Sequence, residues 1–214
     1  DRMAGGDGND TFIVTSVDDK VVEFSDQGTR DVVKASVSYT LSANVEVLEL
    51  QGNGNINGKG NGVANTIIGN TGNNVLTGLG GADTLSGGAG NDKLLGNAGN
   101  DVLTGGSGTD TFVFNTGGGV DSITDFVGGA DKIQLVQGLV NILGGQAVLN
   151  AGSFYAANDA TGYDADDRLI YNTSTGALYY DVDGSGTKSA VKFATLDKVA
   201  DVVPTLSFSD FIIG

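Results

Sequence analysis

A strict period of nine governs residues 60–113. Aligned on their glycines, six units follow one another without insertion or deletion: GNGVANTII, GNTGNNVLT, GLGGADTLS, GGAGNDKLL, GNAGNDVLT and GGSGTDTFV. A further unit, GGDGNDTFI, stands apart at residues 5–13. Each unit supplies glycines first, Asp or Asn at its sixth place and a large apolar residue at its eighth. The sixth places are Asn65, Asn74, Asp83, Asp92, Asp101 and Asp110; the eighth places are Ile67, Leu76, Leu85, Leu94, Leu103 and Phe112. Few folds accept such a chain. Glycine reaches positive φ without steric cost, so the first six residues of a unit suit a tight turn, and the last three are short and β-prone. Turn and strand alternating at this interval predict a solenoid in which two units complete one coil. Units one apart then lie on opposite walls, and units two apart stack at the usual strand spacing of about 4.8 Å.

Stacking brings sixth places 18 residues apart into register. One side lines up Asn65, Asp83 and Asp101, the other Asn74, Asp92 and Asp110. Asp83 then faces Asp101, and Asp92 faces Asp110, with like charge. A hard divalent cation reverses the sign of that interaction: calcium takes roughly 6–8 oxygens at about 2.3–2.6 Å and accepts mixed carboxylate and carbonyl sets. The competing reading, a run of solvated turns, gives no reason for acids at an unbroken interval of nine.

The units resemble the RTX nonapeptide, G-G-x-G-x-D-x-U-x with U a large apolar residue. Residues 5–13, 87–95 and 105–113 fit at every defined place; 96–104 has Asn97 for the second glycine, 78–86 has Leu79 there, and the first two units of the array have Asn for Asp. The resemblance implies an all-β, right-handed parallel β-roll (β-solenoid) holding several Ca2+ ions between stacked turns. The side-chain ligands it implies are Asp83, Asp92, Asp101 and Asp110, with Asn65 and Asn74 as weaker neutral donors. Asp10 fits the motif but has no stacking partner evident from spacing. Main-chain carbonyls of Gly78, Gly80, Gly87, Ala89, Gly90, Gly96, Ala98, Gly99, Gly105, Ser107 and Gly108 complete the implied set. So thin a coil buries little apolar surface against a large ordering cost, so folding is expected to depend on bound ions.

The flanks divide the chain into residues 1–59, irregular solenoid coils that include the isolated repeat; 60–113, the roll; and 114–214, a C-terminal β-rich cap. TFIV, KVVEF, DVVKASVSYTL and NVEVLEL carry β-type alternation, with Val45, Val47, Leu48 and Leu50 set against Glu46 and Glu49. Asp18, Asp19, Asp26 and Asp31 read as solvated acids. GNGNINGKGNG leads into the array. Beyond it, VDSITDFVGGADKIQL is expected to turn Ile123, Phe126 and Ile133 inward and Asp121, Asp125 and Asp131 outward, a metal role for Asp121 or Asp125 being the alternative. RLIYN and ALYYD predict a hairpin with Gly176 at a positive-φ place. Asp181 and Asp183, one residue apart before Gly184, resemble the opening of a D-x-D-G calcium loop and are candidate ligands; the closing Glu of an EF-hand is missing. The end of a solenoid exposes an unpaired edge, which a cap must cover.

With no His and no Cys among 214 residues, Ser–His–Asp triads, thiol nucleophiles and zinc sites with nitrogen or sulfur ligands are excluded. No pair of carboxylates is singled out for catalysis, and the reading is non-catalytic. A net charge of −15 speaks against nucleic acid or an anionic membrane as partner. No run of 18 apolar residues occurs, so no transmembrane segment is expected. The family resemblance implies calcium ions and the type I secretion machinery as partners, with export from a Gram-negative bacterium to the outside or the cell surface. The closing FSDFIIG is similar to type I signals, and Asp1 opens mid-pattern, as in a piece of a longer protein. Two alternatives stand beside this reading. One is an extracellular adhesin or polysaccharide-binding domain that touches a cell-surface or polysaccharide ligand through Tyr155, Tyr163, Tyr171, Tyr179 and Tyr180. The other is a carboxylate-based polysaccharide-modifying enzyme.

Overall fold

The computed structural model describes residues 1–25, 28–115, 117–136, 151–158, 167–181 and 189–213. Among these the chain is all-β apart from two single turns of 3-10 helix, Ala151–Ser153 and Phe208–Asp210. It forms a parallel β-roll. One wall stacks Thr11–Val14, Val32–Ala35, Val47–Leu50, Thr66–Ile68, Thr84–Ala89, Val102–Ser107 and Asp121–Ile123. The other stacks Tyr39–Thr40, Gly58–Lys59, Val75–Gly80, Lys93–Ala98, Thr111–Phe114 and Lys132–Leu135. Within the array the register is 18 residues per coil: Ile67 pairs with Leu85, Leu85 with Leu103, Leu76 with Leu94 and Leu94 with Phe112. Alternation along each strand turns the eighth-place residue inward. The core is therefore two facing files, Val33–Leu48–Ile67–Leu85–Leu103–Ile123 and Leu76–Leu94–Phe112–Ile133, all fully buried.

Residues 51–59 form one more half-coil, with Gly58 paired to Leu76. Gly58 stands where an apolar side chain is due, and a Cβ there would lie 3.1 Å from Ile67 Cγ2 and from Leu48 Cδ2. The neighbouring side chains already fill the space, so the period survives without its apolar marker. Nor do the coils stop at Val113. Asp121–Ile123 adds in parallel to Val102–Ser107, and Lys132–Leu135 to Thr111–Phe114, with Leu103 opposite Ile123 and Phe112 opposite Ile133. The turns have grown by two and three residues, which hides the repeat from a nine-residue reading.

The second place of the last four array units also carries a backbone constraint. Gly88 and Gly106 have φ of 105° and 100°, and the residues that replace glycine there, Leu79 and Asn97, keep φ of 84° and 72°. Asn tolerates this left-handed region and Leu does not, at a cost of about 1–2 kcal/mol. Leu79→Gly relieves that strain but gives the unfolded chain more freedom. We expect a net gain of about 0.5 kcal/mol, read as a small rise in the melting temperature of the calcium-loaded protein.

At the far end, Leu169–Asn172 and Ala177–Tyr180 pair antiparallel with Gly176 at φ 75°, the expected hairpin. Val191–Leu196 joins that hairpin to the roll, antiparallel to Ala177–Tyr180 and parallel to Asp121–Ile123. Phe211–Ile213 covers Lys132–Leu135 in parallel, so the closing FII is the last strand of its wall. Tyr171 is fully buried and donates to the Pro204 carbonyl at 2.5 Å, and burial lifts its hydroxyl to about 12. Tyr155, Tyr179 and Tyr180 are half-buried, and Tyr163 lies outside the described residues.

Candidate metal centre

Each unit folds its sixth-place acid back over its own first glycine. A Cβ on Gly87 would run into Asp92 Oδ2 and stand 2.5 Å from the Gly105 carbonyl oxygen, one coil on. A Cβ on Gly78 would meet Asp83 Oδ2, with the Gly96 carbonyl oxygen at 2.8 Å. Gly96 and Gly105 are crowded in the same way by Asp101 and Asp110. The first place thus demands glycine because no side chain fits. Where it lies, a carboxylate oxygen of one coil and a carbonyl oxygen of the next converge.

The acids form two continuous columns. Oδ1 of each accepts the sixth-place amide of the preceding coil: Asn65 N to Asp83 (2.7 Å), Asp83 N to Asp101 (2.8 Å) and Asp101 N to Asp121 (3.0 Å). On the other side Asn74 N donates to Asp92 (2.7 Å), Asp92 N to Asp110 (2.8 Å) and Asp110 N to Asp131 (3.0 Å). All six carboxylates are buried. Oδ2 of Asp83, Asp92 and Asp101 has no hydrogen-bond partner. An anionic oxygen kept from water and unpaired is costly. Correspondingly, burial pushes Asp83 and Asp110 up to about 6 and Asp121 to about 7, with neighbouring like charge adding to it. Asp92, Asp101 and Asp131 move in the same direction, chiefly through burial. Orphaned anionic oxygens beside inward carbonyls are the donor set a hard divalent ion requires.

These shifts give the ion-free chain a pH signature. The folded form holds protons that the unfolded form has already released between about pH 4 and 7, so unfolding releases protons and stability falls as pH rises through that window. Protein freed of calcium by dialysis should show more β-structure at pH 5 than at pH 8 by circular dichroism, while the calcium needed for folding should rise on acidification.

Asn65 and Asn74 behave differently. Their Oδ1 atoms accept the amides of Asn61 (2.8 Å) and Asn70 (2.9 Å), and their Nδ2 groups donate to the carbonyls of Val45 and Ile56. Asn61 Nδ2 bridges the Ser42 and Val45 carbonyls, and Asn70 Nδ2 those of Gln51 and Gly54. Side-chain amides here occupy carbonyls that a cation would otherwise draw on. Among the main-chain candidates, the carbonyls of Ala98 and Ser107 accept ladder bonds from Gly81 and Gly90 and keep a second lone pair. Gly80 pairs with Ala98 and Ala89 with Ser107 across the coils. The Gly90 carbonyl lies against Gly108, and that of Gly99 against Gly119.

Several acids lie elsewhere than their sequence suggested. Asp121 and Asp131 are buried extensions of the two columns instead of outward acids. Asp125 accepts the Gly105 and Gly106 amides at 2.9 and 2.7 Å. Asp31 is fully buried and is the stacking partner that Asp10 lacked, accepting its amide at 2.7 Å. Asp19 is buried and takes the Thr15 and Ser16 amides; Asp18 is exposed, and Asp26 lies outside the described residues. Asp181 is buried at the end of its hairpin strand, whereas Asp183 also falls outside the description. The signal that finds the missed acids is the triplet acid–x–apolar. It recurs without the complete glycine spacing of the nonapeptide at Asp31–Val33, Glu46–Leu48, Asp121–Ile123 and Asp131–Ile133.

Residues 1–20, 59–94, 79–112 and 87–123 match the family model of the RTX calcium-binding nonapeptide repeat. The array is an RTX repeat. RTX repeats bind calcium, and an RTX repeat module is a non-catalytic calcium-binding domain. The RTX array continues on both sides into coils that the nonapeptide pattern alone would not delimit. No curated protein matches the chain. Among solved structures it is similar to the AlgE6R3 subunit of the Azotobacter vinelandii mannuronan C5-epimerase, with 27% identity over 71% of this chain and 78% of that one and a TM-score of 0.45. No helix among the described residues is long and apolar enough to cross a membrane.

Proposed function

We propose that this chain is a calcium-folded module with the C-terminal type I secretion signal of a larger extracellular protein from a Gram-negative bacterium. The observation behind it is the pair of buried acid columns whose spare oxygens have no partner in the protein. Calcium ions sit between consecutive acids: Asp83 with Asp101, Asp101 with Asp121, Asp92 with Asp110, and Asp110 with Asp131. First-place carbonyls such as those of Gly96 and Gly105 complete each set. The coil of Asn65 and Asn74, already joined by amide hydrogen bonds, holds its turn without an ion. The roll of residues 60–113 is the calcium-responsive centre, and residues 114–214 extend and cap it.

Submicromolar calcium inside a cell leaves the columns self-repelling and the chain loose enough for export; millimolar calcium outside closes the coils. Charge −15 suits a chain that collects divalent cations. Of the described tyrosines of the cap, Tyr171 is fully buried, which weighs against a glycan-contact role for it. The test is circular dichroism of the chain at submicromolar and at millimolar calcium. A steep gain of β-signal is expected, and an identical spectrum at both concentrations would overturn the reading.

A further inference from the structure

We infer that Asp10, Glu23 and Asp31 form a separate calcium site at the N-terminal end of the roll, outside the tandem array. The three acids come from three segments: Asp10 before the strand Thr11–Val14, Glu23 after Lys20–Val22, and Asp31 before Val32–Ala35. Each contributes a carboxylate oxygen, and these oxygens lie within 4.8 Å of one another. Two ligand oxygens on opposite sides of a calcium ion stand about 4.6–5.2 Å apart, so the trio falls inside one coordination sphere.

The neighbouring hydrogen bonds set which oxygens are spare. Asp31 Oδ1 accepts the Asp10 amide at 2.7 Å, and Glu23 Oε1 accepts the Phe24 amide at 3.3 Å. Asp10 Oδ2, Glu23 Oε2 and Asp31 Oδ2 are buried with no partner. Glu23 and Asp31 are 6% and 0% exposed. Among the described residues, no Lys or Arg forms an ion pair with any of the three. The backbone is shaped around the cluster. A Cβ on Gly5 would lie 2.7 Å from Glu23 Oε2 and collide with Asp10 Oδ2, while one on Gly28 would lie 2.7 Å from Asp31 Oδ2 and collide with the Gly8 carbonyl oxygen. A neutral carbonyl donor therefore stands beside the carboxylates. Three like charges held this close away from water require a cation, and an irregular set of oxygens suits calcium better than the strict octahedron of magnesium.

This site differs from an array corner in holding a third acid, Glu23, which belongs to no repeat. It rests on the calcium-folded reading of the roll, but the two are separately visible in one experiment. Equilibrium dialysis of the full chain against calcium should find one ion fewer per chain for Glu23→Gln than for the wild type. The rise of β-signal assigned to the array should be unchanged. The wild-type crystal grown with calcium should show anomalous scattering among the three carboxylates, and that map decides the matter if Glu23→Gln fails to fold. An unchanged ion count in a folded Glu23→Gln, or solvent alone at the cluster in a map with filled array corners, overturns the inference.

Discussion

Gly99→Ala should strongly destabilise the calcium-folded middle of the array at calcium concentrations that saturate the wild type. Gly99 sits at φ 147°, where an L side chain is strained, and a Cβ there would overlap the Gly81 carbonyl oxygen of the preceding coil. Its amide donates to the Gly118 carbonyl at 2.7 Å, so the residue is fixed from both neighbouring coils and cannot turn aside. Strain of about 1–3 kcal/mol adds to the cost of forcing two coils apart, for a total of about 2–4 kcal/mol. A solenoid spreads such a defect, since each coil is stabilised mainly by its neighbours. Calorimetry in excess calcium should show a melting transition lowered by many degrees or split in two. Gly62→Ala is the control: nothing lies within 4 Å of a Cβ there, and the same measurement should barely move.

Asp101→Asn should raise the calcium midpoint for folding by about tenfold or more, equivalent to about 1.4 kcal/mol per decade. Asp101 lies mid-column: its carboxylate accepts from Asp83 N, and its amide donates to Asp121. It borders two of the proposed sites, so one substitution weakens both. Asn keeps the shape and an oxygen that can accept the Asp83 amide but loses the charge. In metal-free protein the sign reverses. Asp83 is held up partly by the charge of Asp101, so removing that charge should make the ion-free roll more stable. Parallel titrations of wild type and variant, with and without calcium, check both signs.

The roll was legible wherever both halves of the repeat survive. Glycines at the turns and an apolar eighth place fix the walls, the 18-residue register and the two buried files. The pattern failed where one half was lost. Gly58 holds a core position with no side chain because Leu48, Ile67 and Leu76 fill it from the adjacent half-coils. Asp31, Asp121 and Asp131 continue the acid columns after turns longer than a nonapeptide allows, and with the glycine spacing broken they looked like surface acids. Glu23 carries no positional signal, since only the return of the chain past Gly5 brings it to Asp10. The same limit applies to the column's other end, where Lys132 Nζ lies 3.3 Å from buried Asp210. There the chain supplies its own cation, and only the fold brings the two together.

Amide hydrogen exchange at Asn65, Asn74, Asp83, Asp92, Asp101 and Asp110 tests the central claim most directly, because each of these amides donates to the carboxylate of the next coil. In calcium, all six should exchange slowly, near the rate set by global unfolding. After chelation they should exchange as in an unfolded chain. Six amides that remain equally protected without calcium would show that the coils stand without the ion and would contradict the account.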